Sequence, residues 1–418
     1  MSSRWLLIVV AAMSCVGCAG CDDDRPLIPD SPNVGIVYDT KYEDTLNSGK
    51  SLPLLEQAWR PYVEVFDEPA AVVGWRDGVS TWEIFYATNR DVLPESVAAS
   101  RERYGNVALS QARFGRAEVR VPKRLRGVDP KRADEATPSD DAVALEQVRG
   151  ADWSTFVAGV DDQLRRSRQK DLLLFVHGFN VDFDEAVIRT AQIALDMPFN
   201  GAVVAYAWPS QGGVANYRAD EPINAASVAP FAEFLAHLVS SVPPETRVNV
   251  VVHSMGNRIV MQGIGRLPSR PGGAKPSAHV ALCARRRSTR FRRRAPGVVA
   301  RSERVTLYAS AGDAALVASQ ALHQEPRAGN VRPPLVVDGV ETIDCSAVDF
   351  DFMGHGYYGG NVDVLGDLFA AIKQRHTADQ RVYLTKKTLP DGGDYWHYRA
   401  HAPRMLWTWN FDESTMRR

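Results

Sequence analysis

The most chemically specific stretch of the chain is Val251-Val252-His253-Ser254-Met255-Gly256-Asn257. An apolar run of strand character leads straight into a serine, and residues of helical periodicity follow. A Gly-x-Ser-x-Gly turn of this kind seats a serine on a tight strand-to-helix bend with its hydroxyl exposed for nucleophilic attack. Small residues two before and two after keep such a bend free of clashes. Gly256 fills the second place, and Val252 stands where the first glycine is usual. The competing reading is a serine that only caps a helix.

A serine hydroxyl is barely ionised near neutral pH, so a nucleophilic Ser254 needs a base. Where an elbow of this type serves a triad, its partners follow in the order serine, acid, histidine. The downstream histidines are His279, His323, His355, His376, His397 and His401. His355 lies in Gly354-His355-Gly356-Tyr357-Tyr358, a glycine-flanked loop ahead of the last helix, and is the candidate base. His279 sits at the wrong end of a strand, and His323 falls on a helical stretch. The candidate acid is Asp313, just past an apolar strand at 304–309. It competes with a helix-cap role, and Asp344, Asp349 and Asp351 are alternatives near His355. For an oxyanion, backbone N–H groups are required. Phe179, in His177-Gly178-Phe179-Asn180, and Met255, the residue after the serine, are the expected donors. His177 reads as a structural loop histidine.

The elements that must position these groups are visible as pattern. Residues 171–176 form a continuous apolar run of strand length, followed by a helix over 181–195. Further strands are expected at 202–208, 248–252, 278–283 and 304–309, with helices at 224–238, 257–267 and 362–372. Short apolar strands alternating with longer helices imply a mostly parallel central sheet covered on both faces. Upstream, 62–66, 82–87 and 117–121 have strand character, while 122–140 reads as a charged loop.

The N-terminus has the pattern of a targeting segment. One arginine leads an apolar core over residues 5–13, and small residues follow. Val16-Gly17-Cys18 resembles the box at which a bacterial lipoprotein is cleaved and acylated with palmitate, which makes Cys18 the candidate lipidation site, beside Cys15 and Cys21. An ordinary cleaved signal is the other reading. Residues 1–21 are therefore expected to be a signal peptide, 22–57 a tether, 58–140 an N-terminal β-rich extension, 141–375 the core and 376–418 a C-terminal extension. With 49 Lys plus Arg against 50 Asp plus Glu, the formal charge of −1 gives no reason to expect nucleic acid as a partner. Cys283 and Cys345 alone remain beyond the leader, too few for a disulfide framework, and no Cys/His cluster has zinc spacing.

Taken together, residues about 80–375 resemble a bacterial family of serine-hydrolase-like α/β proteins of unknown function, many with signal sequences. The resemblance rests on Phe85-Tyr86-Ala87-Thr88-Asn89-Arg90, Phe175-Val176-His177-Gly178-Phe179-Asn180, Tyr206-Ala207-Trp208-Pro209-Ser210, His253-Ser254-Met255-Gly256-Asn257 and Gly354-His355-Gly356-Tyr357-Tyr358. It implies an α/β-hydrolase fold and a Ser/Asp/His triad, with no particular substrate. One segment departs from the family: 285–294 holds seven arginines in ten residues where an acidic turn is usual. A solvated face, a basic patch, or a reading-frame slip restored by about Val298 would each account for it. The expected function is hydrolysis of a small-molecule or lipid carboxylic ester through an acyl-enzyme. The expected place is the cell envelope, on a membrane surface facing the periplasm or exterior, with no metal or organic cofactor implied. A catalytically impaired binding protein and an acyltransferase are the alternatives.

Overall fold

The computed structural model describes residues 37–38, 69–76, 79–94, 103–122, 143–167, 169–197, 199–213, 216–270, 273–284, 288–309, 334–346, 362–381, 383–398 and 405–406. Asp313, His355 and Cys18 lie outside these residues, as do Asp349, Asp351 and His323.

The chain divides into two compact units, residues 1–68 with 400–418, and residues 69–399. In the first, strand β1 (Val37–Tyr38) pairs antiparallel with a strand at Met405–Leu406 (called β14). The second opens with β2 (Val72–Arg76), β3 (Val79–Val92), β4 (Tyr104–Pro122) and β5 (Ala144–Ala151), joined as an antiparallel run. Helix α1 (Trp153–Arg166) leads into β6 (Asp171–Val176), α2 (Phe183–Asp196) and β7 (Ala202–Ala207). Helices α3 (Tyr217–Ala226) and α4 (Val228–Ser241) precede β8 (Arg247–Ser254), α5 (Gly256–Ile264), β9 (Ser277–Ala284), α6 (Ser288–Val299) and β10 (Ser302–Ala309). The described remainder is β11 (Glu341–Asp344), α7 (Val362–Ile372), β12 (Leu384–Thr388) and β13 (Asp394–Tyr398).

Among the described residues these strands make one sheet in the order β12-β13-β11-β10-β9-β8-β6-β7-β3-β4-β5, with β2 paired to β3. The eight strands from β13 to β3 run parallel, and antiparallel hairpins close both ends. All six residues of β6, Asp-Leu-Leu-Leu-Phe-Val, are buried, as a strand covered on both faces requires. Each such Leu or Val contributes roughly 1.5–3 kcal/mol by leaving water. The core they build takes in Leu172, Leu174, Val204, Val250, Val252, Phe231, Ile259 and Leu282. Two carboxylates start helices cleanly: Asp152 accepts from the Thr155 N–H at 2.7 Å and Asp182 from the Glu185 N–H at 2.7 Å.

The single helix expected at 224–238 is two helices that meet at Ser227 with a 45° bend. Pro230 explains the break. A continuous helix would need an N–H there, whereas restarting at Val228 puts Pro230 in a first turn, where none is needed. The expected helix at 362–372 is observed with those bounds. The arginine-rich segment enters α6. Its Phe291, Ala295 and Val298 are buried at helical spacing, and Arg290, Arg292 and Arg293 are exposed.

One topological feature decides where a ligand would sit. From β6 the chain crosses to β7 on one side, and β8 then returns to the other side of β6. The carboxyl ends of β6 and β8 therefore flank the point where winding reverses, the place where open α/β sheets form a crevice.

Candidate active site

Ser254 ends β8 at that reversal point, and Gly256 starts α5 two residues later. Its φ of 47° lies in the left-handed region that a side chain ordinarily avoids. The strain expected of a nucleophile elbow is thus present at the serine itself. Ser254 is 4% exposed, so the serine is buried at the strand end, where the motif predicts an exposed hydroxyl. The missing glycine at Val252 is accommodated because that residue is still regular strand. It pairs with Val176 and Leu282, and its side chain is in the core. Room at the bend comes from two other glycines. A Cβ on Gly178 would lie 2.8 Å from Ser254 Cβ and 2.5 Å from His253 Nδ1. A Cβ on Gly256 would lie 2.5 Å from the His177 carbonyl oxygen. The turn after β6 and the elbow after β8 are therefore packed backbone to backbone.

That contact brings the Phe179 and Met255 segments together at the crevice. Among the described residues, no acceptor takes the N–H of either one. Met255 directly precedes α5, whose N-terminal amides and dipole favour negative charge. The next N–H, that of Asn180, is occupied: it donates to Ser210 Oγ at 2.9 Å.

The turn itself is clamped from several elements. Trp208 Nε1 donates to the His177 carbonyl at 2.9 Å, and the two rings stack at 5.2 Å and 5°. Arg90, buried on β3, donates through Nη2 to the Val181 carbonyl at 2.9 Å and through Nη1 to that of Gly105 at 3.0 Å. Burial lowers the Arg90 guanidinium to about 10, against the opposing pull of Asp182, Asp220, Asp91 and Asp184. His177 is fully buried. Burial, then the charge of Arg90, pushes its imidazole well below the ordinary range and keeps it neutral, in keeping with a structural role.

The elbow is held in a similar way. Asn257 Nδ2 donates to the carbonyls of Ser254 and Cys283, both at 2.8 Å. Asn224 of α3 donates to the Met255 carbonyl at 3.2 Å, and Tyr217 of the same helix meets the Phe179 ring at 5.1 Å. Asp220, also on α3, accepts from Ser210 Oγ at 2.5 Å and from the Gln211 N–H at 2.8 Å. Burial raises the Asp220 carboxyl, which those hydrogen bonds partly offset. Sequence reasoning missed Arg90, Ser210, Asp220, Asn224 and Asn257 as a group. Three of them stand inside motifs already singled out, which was the available signal.

Of the expected site residues, Ser254, Met255 and Phe179 lie on backbone segments packed together at the carboxyl ends of β6 and β8. Asp344, an alternative acid, ends β11 with its Oδ2 3.1 Å from His397 Nδ1. His279 lies in the first half of β9, buried and hydrogen-bonded to Thr306 Oγ1 at 2.9 Å, away from the crevice end of the sheet.

Residues 154–375 match the model of a family described as "Alpha/beta hydrolase of unknown function (DUF900)". The chain belongs to this family. Membership marks it as a hydrolase of the α/β fold. The strand-end serine, the His177-Gly178 turn and α7 all fall inside the matched region of this DUF900 member. Two solved structures are similar in outline. The crystal structure of esterase PE8 is 15% identical, over 49% of this chain and 92% of that one, with a TM-score of 0.28. That of the dienelactone hydrolase-like promiscuous phosphotriesterase P91 from metagenomic libraries is 10% identical, over 71% and 99%, with a TM-score of 0.30. No curated protein matches the chain.

Proposed function

We propose that this DUF900 member is a serine hydrolase that cleaves a carboxylic ester through an acyl-enzyme. The observation that carries the reading is Ser254 at φ 47°, on the bend between β8 and α5, with the neighbouring Phe179 and Met255 N–H groups, which no acceptor among the described residues takes. In this reading Ser254 Oγ attacks the ester carbonyl while His355 takes the proton. Asp313 orients His355 and stabilises its charged form. The Phe179 and Met255 N–H groups hold the oxygen that becomes negative, aided by the N-terminus of α5. Collapse expels the alcohol, protonated by His355, and water then releases the acid by the same route. The half-buried, apolar Phe179 ring beside the serine supports an acyl or aromatic ester as substrate.

A fluorophosphonate probe tests this directly. The folded protein is expected to be labelled once, at Ser254, and Ser254→Ala to lose both labelling and hydrolysis of p-nitrophenyl esters, by on the order of 10⁴-fold or more. A folded wild-type protein that takes no label overturns the reading and leaves a binding role. Transfer to an added alcohol in preference to water would mark an acyltransferase instead.

We also propose that the protein works at the cell envelope, anchored through a lipid on Cys18 to a membrane surface. The support is the N-terminal pattern of one arginine, an apolar core and small residues before Cys18. Cells fed a palmitate analogue should label the wild-type protein and not Cys18→Ala. Equal labelling of both rejects Cys18 as the acceptor.

A further inference from the structure

We propose that Asp220 is a positioning residue for the oxyanion site, acting through Ser210 and Asn180 on the Phe179 N–H. The inference rests on the serine-hydrolase reading above. Three elements converge here: Asp220 comes from the first turn of α3, Ser210 from the segment after β7, and Asn180 from the turn after β6.

The chemistry of the chain fixes its direction. A carboxylate only accepts, so the Ser210 hydroxyl must spend its single proton on Asp220, at 2.5 Å. The oxygen lone pairs of Ser210 are then turned to the Asn180 N–H at 2.9 Å. The second carboxylate oxygen takes the Gln211 N–H, which fixes Asp220 in turn. Asp220 and Ser210 are buried and Asn180 is half-buried, so the link between the carboxylate and the hydroxyl is shielded from water.

This link acts on a backbone under strain. Asn180 has φ 59°, and Asn is among the few side chains that accept the left-handed region. Its Oδ1 also accepts from the Gly213 N–H. The same strand-end segment therefore grips Asn180 at two points. With the Asn180 N–H committed to Ser210, the neighbouring Phe179 N–H is a donor that no acceptor among the described residues takes. The Phe179 N–H belongs to the peptide before it, two torsions away, so holding the peptide that follows Phe179 narrows the directions in which Phe179 presents its own donor. An oxyanion donor displaced by a fraction of an ångström loses most of its effect on the transition state, while ground-state binding hardly changes.

The test separates kcat from KM with p-nitrophenyl butyrate, and reads phenylboronic acid affinity as a measure of tetrahedral-anion binding. Ser210→Ala is expected to lower kcat and boronate affinity at least tenfold, with KM within twofold of wild type. Ser210→Thr, which keeps the hydroxyl, should recover most of the loss. Asp220→Asn should give a smaller loss of the same kind. The double variant should be no worse than Ser210→Ala alone, because the two act in series. If Ser210→Ala proves unstable, the folded Asp220→Asn variant carries the test, and wild-type boronate affinity in it likewise overturns the proposal. Wild-type boronate affinity in Ser210→Ala, or losses that multiply in the double variant, overturns the proposal. A wild-type protein that neither hydrolyses the ester nor takes a fluorophosphonate defeats the hydrolase reading instead.

Discussion

Ser254 holds two costs in one residue. It occupies left-handed backbone, and it is buried at a strand end where the neighbouring turn leaves room for little more than glycine. Strain of this sort costs on the order of 1–3 kcal/mol. Ser254→Gly should relieve it. The variant is expected to be inactive yet more stable than the wild type by about 1 kcal/mol, seen as an upward shift in Tm of about 2 °C. A Tm equal to or below that of the wild type would mean that the bend is not strained. The serine on the bend was legible in the sequence because its motif encodes the bend. The glycine that makes space for it was legible only in part. The usual pattern places one at 252, whereas here Gly178, from the adjacent strand, takes that role. A contact between residues 76 positions apart has no signature in local pattern.

At the scale of elements, the parallel strands were readable because burial on both faces leaves unbroken apolar runs, as in β6 and β7. The break between α3 and α4 was not, since the apolar periodicity continues across Ser227 and only Pro230 hints at it. Strand β4, nineteen residues long, was glimpsed over five, because most of its length is half-exposed and mixes charged with small residues. The Thr88-Asn89-Arg90 run acquires its meaning only in three dimensions. Thr88 Oγ1 ties β3 to the Ala207 carbonyl at 2.6 Å, and Asn89 Nδ2 reaches Ser227 Oγ at 3.0 Å. Arg90 joins β4 to the turn after β6. Lysine has no planar fork and cannot serve both carbonyls in that geometry. Arg90→Lys is therefore expected to cost about 2–3 kcal/mol, measured by urea unfolding. A loss below about 0.5 kcal/mol would show that the fork does not hold these elements together.

For the molecule as a whole, the two deeply buried neutral histidines set an acid limit. His177 and His279 both have their pKa pushed well below the ordinary 6.5 by burial. The unfolded chain takes up these protons near pH 6.5 and the folded chain does not. The stability they leave intact above that pH is therefore lost as pH falls below it, at about 1.4 kcal/mol per pH unit for each histidine. His279→Gln, compared with wild type between pH 7.5 and 5.5, should remove one such contribution and flatten the pH dependence of the urea midpoint. Parallel curves for the two proteins would show that His279 titrates in the folded state. The fold class and a serine on a tight strand-to-helix bend could thus be read from one sequence. What escaped were the polar clamps, whose partners come from distant strands.

The reach of the sheet beyond the recognisable family region has a practical corollary. The matched stretch begins at residue 154, yet β3 to β5 lie before it, and β3 is the strand that completes the ladder of β7. A fragment trimmed to 154–375 would leave β7 as an open edge with its amides and carbonyls bare, and Val181 without its arginine. Open edges recruit other strands, so such a fragment is expected to self-associate into insoluble material. The smallest piece able to stay monomeric would have to start ahead of β3.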